Sequence, residues 1–193
     1  SSDGINWKPI DLSNTGSPSP TQSEWRSVVY ADSKFVVVGS SNFVDNKILY
    51  SSDGINWTWT SDPGRSGNCR WISVTHGNGK YVAVAFSGTN RSMYSTDAIT
   101  WTLTSPPSNY WRSVAYGNGK FVAVSERDGG TNRSMYSTDG ITWTVGGTTE
   151  SNEYQSIVFG KGKFVAVSST GNNRVMYSTD GINWTSVSVD QDE

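Results

Sequence analysis

Apolar and polar positions alternate in short runs, and the same runs return four times along the chain. WRSVVYADSKFVVV begins at Trp25, WISVTHGNGKYVAV at Trp71, WRSVAYGNGKFVAV at Trp111 and YQSIVFGKGKFVAV at Tyr154. Each reads as a strand, a two-residue turn and a second strand, because stretches rich in Val, Phe and Tyr flank a dipeptide that suits positive φ. Asn78-Gly79 and Asn118-Gly119 best fit a type I′ turn. The second strand, KFVAVS in its commonest form, is apolar at consecutive rather than alternate positions, as expected of a strand covered on both faces. No stretch carries the period of a helix.

A second hairpin follows each of these. A short strand such as RSMYS meets one such as TWTLT across an Asp-Gly turn within the string SxDGxxW. That string occurs at Ser1 to Trp7 and Ser51 to Trp57, then in variants ending at Trp101, Trp143 and Trp184, with gaps of 50, 44, 42 and 41 residues between the tryptophans. Four strands in roughly 40–45 residues is the spacing of a propeller blade. The predicted fold is therefore all-β: a small β-propeller of four complete four-stranded antiparallel blades, strands a to d with a innermost, plus a surplus N-terminal partial blade. The single domain 1–193 divides into the partial blade and connection (1–24), blade 1 (25–61), blade 2 (62–105), blade 3 (106–147) and blade 4 (148–193). The outer strand within Ser1 to Leu12 exceeds what a closed four-bladed ring needs, since the last blade owns a strand around Trp184 to Val189. A fragment of a larger ring, a strand lying on a blade edge and a strand pairing with another subunit all account for it.

The SxDGxxW strings resemble the Asp-box, or BNR-type, repeat of sialidases and many other propellers, shortened by one residue between Asp and Trp. The resemblance runs through five copies and implies a propeller architecture. It implies no single function, because such boxes occur in enzymes, assembly factors and adhesive proteins alike. A photosystem-assembly role also falls within it, and no residue selects that role. Asp3, Asp53, Asp97, Asp139 and Asp180 are expected to accept hydrogen bonds from turn amides, with Trp7, Trp57, Trp101, Trp143 and Trp184 covering the blade edge. One such Asp per blade cannot converge on one substrate, so these residues are read as structural and no catalytic residue is assigned.

Composition narrows the function classes. Charged residues make up 17% of the chain and the net charge is −2, so no basic field exists to hold nucleic acid or an anionic membrane. No apolar run approaches a bilayer span. The single cysteine, Cys69, and single histidine, His76, exclude an internal disulfide and any site built on two of either residue; no metal or cofactor is expected. His76 shares its slot with Tyr30, Tyr116 and Phe159 and reads as a core variant. The chain starts within a repeat, without Met or a signal-peptide pattern, which reads as a segment of something longer. Few charges, abundant Ser, Thr, Asn and Gly, and nine Trp suit an extracellular or virion-surface location. Asn56, Asn90, Asn132 and Asn183 begin glycosylation sequons, two of them inside the box where Asn serves the turn.

Meander geometry places the regular a–b and c–d turns at one end of each blade and the variable b–c and d–a loops at the other, where binding residues are expected. That end carries a repeated cation, Lys47, Arg91, Arg133 and Arg174, near the aromatic that starts strand a: Trp25, Trp71, Trp111 and Tyr154. An aromatic beside a guanidinium can grip a sugar ring; the alternative is that each arginine bonds neighbouring carbonyls and helps the blades pack. Phe43, Phe86 and Tyr110 lie outside the repeat slots and complete the candidate ligand-binding set. The leading function is a non-enzymatic recognition module for glycans or a surface protein, of adhesin or viral tail type. A filament, sheath or virion subunit assembled by exchange of the N-terminal strand is the first alternative. A sialidase-like hydrolase is the second, implied only by the resemblance and by three arginines on one end.

Overall fold

The computed structural model describes residues 5–6, 9, 24–40, 48–64, 67–127 and 132–188. Both central residues of each first-hairpin turn hold positive φ, as type I′ demands: 47° and 67° at Asn78-Gly79, 46° and 73° at Asn118-Gly119, and 48° and 74° at Lys161-Gly162. Asp32-Ser33 adopts the same geometry, 45° and 58°, without a glycine to relieve it. These turns join β1 (Glu24–Ala31) to β2 (Lys34–Ser40), β5 (Trp71–Gly77) to β6 (Lys80–Ala85), β9 (Tyr110–Gly117) to β10 (Lys120–Arg127) and β13 (Tyr154–Gly160) to β14 (Lys163–Ser168). The third strands are β3 (Ile48–Ser51), β7 (Ser92–Ser95), β11 (Ser134–Ser137) and β15 (Val175–Ser178). Short outer strands follow: β4 (Thr58–Trp59), β8 (Thr102–Thr104), β12 (Thr144–Val145) and β16 (Thr185–Val187). They form four antiparallel four-stranded meanders, the four blades that the repeat predicts, and the described residues contain no α-helix. The surplus N-terminal strand, with Asp3 and Trp7, lies outside the described residues apart from positions 5, 6 and 9.

The second turn of each blade is a small hydrogen-bonded cage. Asp53 Oδ1 accepts from the amides of Ile55 and Asn56 at 2.8 and 2.7 Å, and Ser51 Oγ donates to it at 3.0 Å. Asp97, Asp139 and Asp180 repeat the pattern with amide distances of 2.7–2.8 Å. Asn56 and Asn183 each add a side-chain bond to the second carboxylate oxygen, so the sequon Asn serves the turn. The Asn56 and Ile55 amides hold the Asp53 carboxyl well below the usual carboxylate range. Burial alone would raise Asp139, but the Thr142 and Ile141 amides and the Ser137 hydroxyl together outweigh it and bring the group down to about 2.

The core lies between the blades rather than inside any one of them. Alternate residues of β6 serve two layers: Tyr81, Ala83 and Ala85 pack toward blade 1 with Val36, Val38 and Ile48, while Val82 and Val84 pack toward blade 3 with Trp111, Val114 and Phe121. Strand β10 does the same, with Val122 and Val124 meeting Tyr154, Ile157 and Phe164 of blade 4. All of these strand-b side chains are at most 1% exposed, and each valine among them contributes about 1.5–3 kcal/mol of burial.

Two repeated contacts align neighbouring blades. Ser27 Oγ accepts from the Val74 amide at 3.2 Å, Ser73 from Val114 at 3.1 Å and Ser113 from Ile157 at 3.2 Å. The ring of Tyr116 lies where a Cβ on Gly77 would stand, 2.0 Å away, and the ring of Phe159 lies 2.1 Å from the same position on Gly117. Glycine is required there because the inner strands of blades 3 and 4 each press an aromatic onto the backbone of the one before, whereas the equivalent position of blade 1 is Ala31. Among the described residues the strand-to-strand packing runs from blade 1 through blade 4, and no extensive packing returns from blade 4 to blade 1. Val28 and Tyr30 on blade 1 and Val158 on blade 4 are accordingly 60%, 59% and 62% exposed. The blades form an arc.

Gly117→Ala forces its new methyl into the Phe159 ring and is expected to lower stability by about 1–3 kcal/mol, read by thermal denaturation. Ser33→Gly relieves a left-handed residue and is expected to raise stability by about 1 kcal/mol in the same assay. The carboxyls of the second turns are depressed on folding, so their contribution is complete above the unfolded value near 3.8 and lost as pH falls through the folded values. Melting temperature should change little through this effect from pH 7 to 5 and fall between about pH 4 and 2, and Asp139→Asn should flatten that fall.

Candidate functional site

Every inner strand begins with a β-bulge at the same place. Trp25 pairs with Gly39 but Ser27 with Val38, leaving Arg26 as the extra residue. Ile72, Arg112 and Gln155 are the equivalent extra residues of blades 2, 3 and 4. A bulge re-aims a side chain out of the pleat. Here it turns these four toward a concave cavity of about 330 Å³ shared by all the inner strands, whose other lining residues are Ser27, Ser73 and Ser113.

The cavity is polar and its charges are held in pairs. Arg112 Nε donates to Gln155 Oε1 at 3.1 Å and lies 3.4 Å from Glu126 Oε2. Gln155 is fixed from its other end, its amide nitrogen donating to Glu153 O at 3.3 Å and to Ser169 Oγ at 3.2 Å. Arg26 pairs with Glu24, and Ser40 Oγ bridges the two, 3.3 Å from Arg26 Nε and 3.2 Å from Glu24 Oε2. The Ser40 hydrogen bond, then the Arg26 charge, keep the Glu24 carboxyl below its ordinary value. Guanidinium and amide groups on rigid strands, each already oriented by a neighbour, form a preset array of donors and acceptors.

The residues singled out from sequence meet different fates. Trp71, Trp111 and Tyr154 are at most 1% exposed and belong to the inter-blade layers, so they cannot stack on a ligand; this corrects the expectation. Trp71 and Trp111 satisfy their indole N–H groups internally, on Asp62 Oδ1 and Pro107 O, both at 3.0 Å. Trp25 is half-exposed, on the side of blade 1 against which no other described blade packs. The repeated arginines likewise serve the fold. Arg91 and Arg174 each donate Nε to a glycine carbonyl three residues back at 3.2 Å, and Arg91 also bonds Asn109 O of the next blade. Arg133 is 8% exposed and bonds Glu126 O. Each arginine is tied to its own loop, so they do not assemble into a carboxylate-binding triad. Lys47 and Phe43 lie outside the described residues.

Phe86 and Tyr110 do come together. Their ring centroids are 5.0 Å apart, with Arg91 5.0 Å over Tyr110 and Arg70 5.9 Å over Phe86. The half-buried rings and guanidiniums alternate at the boundary of blades 2 and 3, and Tyr110 stands two residues before Arg112 on β9. Arg26, Arg112 and Gln155 were not expected from sequence. The signal was present: in the motif W-x-S-V the position after the aromatic changes class from copy to copy, Arg, Ile, Arg and Gln, while its neighbours scarcely vary. Among the described residues no group of three or more His, Cys, Asp or Glu could hold a metal.

The chain matches no protein-family model and no curated protein sequence. Its fold is shared with solved structures. A streptogramin B lyase superposes with a TM-score of 0.72 at 12% identity, over 90% of this chain and 57% of that one. A virginiamycin B lyase from Staphylococcus aureus gives 0.65 at 14%, over 87% of this chain and 71% of that one. The protein YCF48, solved bound to a D1 peptide, gives 0.64 at 18%, over 96% of this chain and 58% of that one. This chain thus spans less than two thirds of two of these three. At such identities the likeness shows the fold alone, and the fold is that of a repeat β-propeller.

Proposed function

We propose that the chain is a non-enzymatic recognition module that binds a hydroxyl-rich ligand, a surface carbohydrate, in the concave cavity of its inner strands. The observation that carries this reading is the row of bulged residues, Arg26, Arg112 and Gln155, which face one cavity with their hydrogen-bonding groups preset. Planar guanidinium and carboxamide groups match vicinal hydroxyls in pairs, and their placement on strands limits the ordering cost of binding. The Phe86–Tyr110 pair supplies an apolar face along the same strand for a second sugar ring. Its Asp-box-like turns make it a rigid carrier: the carboxyls of Asp53, Asp97, Asp139 and Asp180 are all shifted downward, the direction opposite to that of a proton donor. The location consistent with this ligand is extracellular or on a virion surface.

Two of the similar structures are named as lyases and one as a peptide-bound protein, so the competing readings are a lyase and a peptide binder. The glycan reading is tested on a glycan array followed by calorimetry with the best hit. Wild type should bind a restricted set of glycans, Arg112→Ala should weaken binding at least tenfold, and Tyr110→Ala should weaken it severalfold. Asp139→Asn, remote from the inner-strand bulges, should leave affinity unchanged. Release of a cleaved product, or affinity indifferent to Arg112 and Tyr110, would reject the proposal.

A further inference from the structure

The two end faces of the arc are the two halves of the interface that joins every internal pair of blades. On blade 1, Trp25, Val28, Val37, Leu49 and Trp57 line an apolar groove of about 490 Å³. Their register equivalents on blade 2 are Trp71, Val74, Ala83, Met93 and Trp101, and there the same set is buried against blade 1. What buries it is a group of blade 1 residues led by Val29, Val36, Val38, Ile48 and Tyr50. The equivalents of these five on blade 4 are Val158, Val165, Val167, Val175 and Tyr177. Val158 and Val167 are 62% and 43% exposed, and the other three are half-exposed.

The polar and steric contacts repeat the same pattern. Ser27, Ser73 and Ser113 each accept an amide from the next blade, which makes the exposed Ser156 the next acceptor in the series and the Val28 amide its unmatched donor. Gly77 and Gly117 receive the rings of Tyr116 and Phe159, whereas a Cβ on Gly160 would meet nothing within 4 Å. Tyr30, which shares the slot of those rings, is 59% exposed. Gly140 and Gly181 sit against Val82 and Val122 of the preceding blade; Gly54 of blade 1 meets only its own Phe35. One end therefore presents a knob at Tyr30 and recesses at Gly54 and the groove, and the other presents a recess at Gly160 and a row of valines.

We infer that a second copy of this chain docks head to tail, blade 4 of one on blade 1 of the next, through a contact that continues the internal inter-blade packing. Such an interface is heterologous: two arcs close a ring if the rotations complete a turn, and otherwise the series elongates. Continuity with the internal interface selects the occupant, because a copy of this chain carries the matching valines, serine and glycine in register.

The experiment is sedimentation velocity with native mass spectrometry on the 193-residue chain over a range of concentrations, using wild type, Gly160→Ala and Val28→Asp. Both positions are open in the single chain, so both variants should fold, which circular dichroism checks. Wild type should show dimers or larger species, and each variant alone should shift its self-association at least tenfold toward monomer. Mixing the variants should restore a one-to-one dimer that does not elongate, since one intact Gly160 face then meets one intact Val28 face. Monomer at every wild-type concentration, assembly that both substitutions leave intact, or a mixture that stays monomeric would overturn the inference.

Discussion

The structure depends on one constraint: the second strand of every blade is apolar on both faces, so it is fully shielded from water only between two other blades. Strands β6 and β10 meet this demand, each dividing alternate side chains between two layers that exclude water almost completely. The remaining repeated features serve that layering. Glycine occupies positions 77 and 117 because the next blade's aromatic ring lies against the backbone there. The inner-strand serines hold each blade in register on its neighbour through a single hydrogen bond apiece. Where the series stops, the constraint is unmet, and Val28 of blade 1 and Val158 and Val167 of blade 4 stand in solvent.

The same constraint divides the chemistry of the inner strand. Its leading aromatic is absorbed into the layer, which removes Trp71, Trp111 and Tyr154 from any role in binding. The residue that follows is displaced from the pleat by the bulge and freed to line the cavity. A repeat fold can in this way keep its packing positions nearly constant while varying one slot per blade, and Arg26, Ile72, Arg112 and Gln155 occupy that slot. The repeated arginines of the b–c loops show the converse case. Arg91, Arg133 and Arg174 are each engaged by backbone carbonyls, and what recurs there is architecture.

Sequence by itself determined the strands, the turns and the meander. Those features rest on interactions within a few residues or between adjacent strands: positive φ at Asn-Gly, the Asp carboxylate capping two amides of its own turn, and a two-residue side-chain period. Each can be read from residue type and spacing alone. Only the tertiary structure decided which aromatics are exposed, where the bulges fall and whether the blades close. Burial of Trp111 but not of Trp25 depends on a neighbouring blade that no local pattern specifies. The bulge at Arg112 depends on a mismatch in pairing with β10. Closure depends on small rotations between blades that add up along the arc, and nearly identical repeats are compatible with more than one sum.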